Sequence, residues 1–190
     1  MIEAFFGGLF SAIIVSGFHW WMNKQSIEGK ARYLAIHVVC LLDKFEKDCI
    51  SVIYDDGIHD ENGCLEPQAL CPNAPSFPND IDWKSINYDL MYEILALPSD
   101  IETADDYIKY KVEYVAHPQN YEEVFEERIF QYAKLGLKAH NLATKLRDKY
   151  KIPIRFHNEW DPISEFNNKL EQIEIKRKKR SILQNKVTSE

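Results

Sequence analysis

The sequence predicts an all-α protein: a single N-terminal transmembrane helix followed by a cytoplasmic antiparallel helical bundle with one long Pro-rich loop. Three observations carry that expectation. Residues Ala4 to Met22 contain no Asp, Glu, Lys or Arg, and as a helix they would rise about 28 Å, close to the ~30 Å hydrocarbon core of a bilayer. Several later stretches repeat apolar residues at three- and four-residue steps, the period of an amphipathic helix. No stretch reads as a strand. The segments are read as an anchor over 1–23, a bundle over 24–175 and a basic, disordered tail over 176–190.

The apolar run does not resemble a cleaved signal. Its only early charge is Glu3, and it ends in Trp20-Trp21-Met22 rather than in small residues. Indole rings suit the membrane–water interface. Lys24, Lys30 and Arg32 follow at once, which by the positive-inside rule puts the N-terminus outside and the rest in the cytoplasm of a bacterial inner membrane. Ala4, Gly8, Ala12 and Ser16 recur every four residues. They form a ridge of small side chains along which two membrane helices can pack.

Residues Ser26 to Tyr54 repeat Leu34, Val38, Leu41, Phe45, Cys49 and Val52 on one face. Residues 55–82 then carry Pro67, Pro72, Pro75 and Pro78 with Gly57 and Gly63, which forbids a long regular element. A connection this long is either functional or loosely held. A short helix is expected from Tyr88 to Leu97, ended by Pro98. A new one is expected from a capping box at Ser99 and Glu102, running to about Ala116. The longest helix is expected over about Gln119 to Lys149, with Tyr121, Phe125, Ile129 and Tyr132 starting its apolar face. Gly136, Ala139 and Ala143 flatten its middle, so another helix can come close. Glu122, Glu123, Glu126 and Glu127 crowd its start, and Lys145, Arg147 and Lys149 its end, in the sense of the macrodipole. Asp161-Pro162 opens the last helix as cap and first residue, and Ile163, Phe166, Leu170 and Ile173 mark its buried face.

Charge is unevenly placed within a net of −7. Residues 54–127 carry three basic side chains against eighteen acidic ones, a net of −15, whereas 128–190 carry fifteen against seven, a net of +8. Such a chain either folds its halves together or offers two faces to different partners.

Motifs for chemistry are sparse. His59, Cys64 and Cys71 are candidate zinc ligands, but their spacings lack the short pairs of zinc sites and no fourth ligand is evident. An EF-hand loop aligned on Gly63 would have Ile58 and Ala69 where its first and last carboxylates belong. His37, His117, His140 and His157 are acid–base candidates by residue type alone, and there is no HExxH, GxSxG or phosphate-binding glycine loop. The run Lys176, Arg177, Lys178, Lys179 and Arg180 suits contact with anionic lipid. Nucleic acid is disfavoured, because the acidic stretch repels phosphate and aromatics do not interleave the basic run.

The functional expectation is a non-catalytic, membrane-anchored interaction or assembly protein, an accessory subunit of a membrane-associated complex. It needs no cofactor. Its partners are the lipid bilayer and, through the membrane helix, another copy or another protein. The alternatives are a metal-dependent enzyme or sensor using the 55–82 loop, and a membrane-tethered nucleic-acid binder using residues 176–180.

Overall fold

The computed structural model describes residues 2–61, 65–77, 82–114, 121–154 and 161–187, with side chains from 25 onward except those of 121, 186 and 187. The elements are α1 (Ile2–Ile53), β1 (Ile58–His59), β2 (Leu65–Glu66), a 3-10 turn (Trp83–Ser85), α2 (Tyr88–Tyr114), α3 (Tyr121–Tyr150) and α4 (Pro162–Val187). The two short strands pair antiparallel, Ile58 opposite Glu66 and His59 opposite Leu65.

α3 is the axis of the bundle, and α1, α2 and α4 all pack on it. Cross-helix pairs give the directions. Asp43, Glu46 and Asp55 of the α1 end meet Arg147, His140 and Arg128 of α3. Glu93 of α2 meets Lys145, and Asp105 meets Tyr132. Arg180 of α4 meets Glu123, and Arg177 meets Glu127. All three helices therefore run antiparallel to α3 and parallel to one another. That arrangement explains the long connection after α1. The chain leaves α1 at the level of Arg128 and enters α2 near the level of Lys145, about 25 Å away along α3. Residues 54–87 carry it back, as a crossover must.

The core follows the helical period closely. Leu34, Val38, Leu42, Cys49 and Val52 of α1 are fully buried, as are Tyr132, Ala139 and Leu146 of α3 and Phe166 of α4. Each large apolar side chain buried in this way contributes roughly 1.5–3 kcal/mol. The close approach expected at the middle of α3 is present. A Cβ on Gly136 would lie 2.5 Å from Cε1 of Phe166 and 3.0 Å from Cβ of Cys49.

Several expectations are corrected. Among the described residues no helix is long and apolar enough to cross a membrane. α1 shows no boundary at residue 23, and its described side chains, from Gln25 on, soon include Glu28, Lys30 and Arg32. The single-pass inner-membrane topology, the bilayer as partner, association through a membrane helix and the membrane-anchored assembly function lose their support together. The ridge Ala4, Gly8, Ala12 and Ser16 falls on side chains outside the described residues.

Pro98 does not end a helix but lies inside α2. It leaves the Ile94 carbonyl without its usual donor. The buried stripe Leu90, Ile94, Leu97, Ile101 and Ala104 nevertheless continues unbroken across it, so packing on α3 overrides the local preference. α4 does not fade at Lys176. It continues through the basic run to Val187, because Arg177 and Arg180 are tied to carboxylates of α3.

Candidate ligand cleft

The first residue after the α1 turn builds the site. Asp55 is buried, and its carboxylate accepts the amides of Gly57 at 3.0 Å, Gln68 at 2.9 Å and Ala69 at 2.8 Å. Nη1 of Arg128 donates to the same carboxylate at 3.1 Å, in a pair whose side chains are 6 % and 2 % exposed. The guanidinium also donates to the Ala69 carbonyl and, from Nε, to Sγ of Cys71 at 3.4 Å. Burial pushes the Asp55 carboxyl up; the amides of Ala69, Gly57 and Gln68 and the Arg128 guanidinium outweigh it, so its pKa lies below the ordinary value. Gly57 turns the chain at φ 70°, where a side chain would be strained and would also meet Leu65. The start of the long connection is thus fastened to α3, and its β1–β2 hairpin stands as a wall.

Between that wall, the first turns of α3 and the face of α4 lies a cleft of about 540 Å³, within the range of small-molecule sites. Leu65, Phe125, Ile129 and Ile173 give it an apolar floor. Lys169, Lys176, Lys179 and Arg180 line the α4 side, and Asp56, His59, Glu122 and Glu126 the side of the loop and α3. Some of these charges are already used. Asp55 is saturated as described, and Glu126 accepts from Nε of Arg177 at 3.0 Å and from Arg180 at 2.5 Å. Lys169 stands over the Tyr54 ring at 5.3 Å, and the Tyr54 hydroxyl donates to Glu165. Among the described residues no ion pair engages Lys176, Lys179, Asp56 or Glu122.

The sequence candidates separate accordingly. His59 lines the cleft from β1. Cys71 is exposed and accepts from Arg128; Cys64 lies outside the described residues. Among the described residues no group of three or more His, Cys, Asp or Glu side chains could hold a metal ion. The basic run splits by helical geometry. Lys176, Lys179 and Arg180 face the cleft, Lys178 is exposed, and Arg177 turns to Glu126 and Glu127 with its guanidinium 4.3 Å from the Phe130 ring centroid. The attraction between the two halves of the chain is therefore satisfied internally in part, through Arg128, Arg177 and Arg180.

Of the histidines, His37 packs edge-on against Tyr33, and His117 and His157 lie outside the described residues. His140 lies eleven residues beyond Ile129 on α3, about 16 Å along the helix from the cleft. Its Nδ1 is 3.0 Å from Oε1 of Glu46. The bond to Glu46 raises the His140 pKa above its ordinary value against the opposing effect of burial. Asp55, Arg128, Phe125 and Lys169 were missed as site residues from sequence. The one available signal was the imbalance of charge between the two halves of the chain. Comparison with family models, with curated proteins and with solved structures finds no match for this chain.

Proposed function

We propose that this protein is a helical ligand-binding module that takes an amphiphilic ligand with an anionic head group into the cleft between the β1–β2 hairpin and α4. The observation that carries the reading is the convergence of two stretches far apart in sequence, the 55–66 loop and the basic run of α4, over a single apolar floor. An apolar or aromatic body rests on Phe125, Ile129 and Ile173, and an anionic head meets Lys169, Lys176 and Lys179. The reading is of binding rather than turnover. His140, whose pKa the bond to Glu46 raises, is not among the residues that line the cleft.

The test uses 8-anilinonaphthalene-1-sulfonate, an aromatic body with one sulfonate. Saturable fluorescence enhancement with one site per chain is expected, weakening as salt rises. Lys176→Glu with Lys179→Glu is expected to weaken it at least tenfold while the circular dichroism stays unchanged, since both side chains are exposed. Absence of saturable binding, or equal affinity in the double variant, overturns the proposal.

A further inference from the structure

The charges that line the cleft are sorted by element. Once the ion-paired groups are set aside (Asp55 with Arg128, and Glu126 with Arg177 and Arg180), the cations left without a carboxylate, Lys169 (which also stands over the Tyr54 ring), Lys176 and Lys179, all come from α4. The remaining carboxylates are Asp56 from the loop and Glu122 from the first turn of α3. Leu65, Phe125, Ile129 and Ile173 line the same cleft. A purely anionic ligand would meet the lysines but leave Asp56 and Glu122 without a counter-charge. A purely cationic one would meet the reverse. We infer that the natural ligand is a zwitterion whose anionic and cationic groups are separated by an apolar body, the anion toward α4 and the cation toward Asp56 and Glu122. This rests on the cleft being a ligand site and names the chemical class it takes. Specificity arises here because a singly charged analogue leaves one set of charges unpaired.

The periodicity of α4 supports an extended rather than a compact ligand. Lys169, Lys176 and Lys179 stand along about 15 Å of helix, and Ile173 sits midway on the same face and is buried. A single small zwitterion with adjacent charges would span neither the floor nor the two walls.

The test is displacement of 8-anilinonaphthalene-1-sulfonate from the full chain by 8-aminooctanoate, octanoate and octylamine, which share one hydrocarbon body. The inference expects 8-aminooctanoate to compete at least tenfold better than either singly charged probe, with an optimum when 6-, 8- and 10-carbon ω-amino acids are compared. In Asp56→Asn with Glu122→Gln that preference is expected to vanish while octanoate binds more tightly. Octanoate competing as well as 8-aminooctanoate, or a zwitterion preference that survives the double variant, overturns the inference while leaving the cleft reading intact. Failure of the fluorescent probe itself to bind removes both.

Discussion

Replacing Arg128 with Met removes the cation that faces Asp55 but keeps most of the aliphatic volume. The structure sets the scale of the loss. The two side chains are 6 % and 2 % exposed, so the Asp55 carboxylate would remain buried without a counter-charge, and the Ala69 carbonyl would lose its side-chain donor. Breaking a buried pair from one side costs about 3–5 kcal/mol, a large share of the ~5–15 kcal/mol of a typical domain. Three backbone amides still solvate Asp55, so the lower part of that range is expected, about 3 kcal/mol. Urea denaturation measures it, and hydrogen exchange at the amides of Gln68 and Ala69 shows whether the loop has come loose. Adding Asp55→Asn should recover part of the loss, because the uncompensated charge goes with it. A loss under about 1 kcal/mol with Gln68 and Ala69 still protected would refute the reasoning, since the loop would then be held by something other than this pair.

Other consequences follow from the same structure. Because the Asp55 pKa is lowered by folding, its contribution to stability is present above the unfolded carboxyl value of about 3.9 and is lost as pH falls through the lower folded value; Asp55→Asn should flatten that acid limb in pH-dependent urea melts. His140 titrates in the opposite sense. Its raised pKa means that its stabilisation is complete below the unfolded value of about 6.5 and is lost as pH rises through the folded one. It faces Glu46 of α1, Arg147 of its own helix and Asp161 at the start of α4, and His140→Gln should flatten the loss of thermal stability as pH rises above about 6.5. Gly136→Ala should lose about 1–3 kcal/mol by crowding Phe166 and Cys49, despite the better helix propensity of Ala, and Phe166→Leu should restore part of it. Pro98→Ala should gain about 1–2 kcal/mol by returning a donor to the Ile94 carbonyl, and a loss there would show that the proline-shaped helix is needed for packing.

Helix faces were the legible part of the fold. Leu34 to Val52 and Phe166 to Ile173 announce themselves by period, and Gly136 by its flatness, because each signal is local. α2 was divided because a proline and a capping box are also local signals; the buried stripe from Leu90 to Ala104 runs across both, and only the presence of α3 makes it decisive. The sequence leaves the loop as either functional or loosely held, because its fastening, Asp55 to Arg128, spans 73 residues. The basic run was read as a free tail for the same reason, since Arg177 finds Glu127 fifty residues away. The uncharged stretch from Ala4 to Met22 suggested a membrane anchor that the described helices do not support. A direction of chain, α1 and α2 parallel, has no local signature. It depends on how far residues 54–87 travel.

The central claim is that the loop and α4 together form a ligand cleft. Amide chemical-shift mapping with 8-anilinonaphthalene-1-sulfonate tests it most directly. The account predicts shifts concentrated at residues 55–61, 65–69, 122–129 and 169–180, with α3 around His140 unmoved. Shifts gathered instead on the exposed tyrosines of α2, Tyr88, Tyr92, Tyr110 and Tyr114, would contradict it.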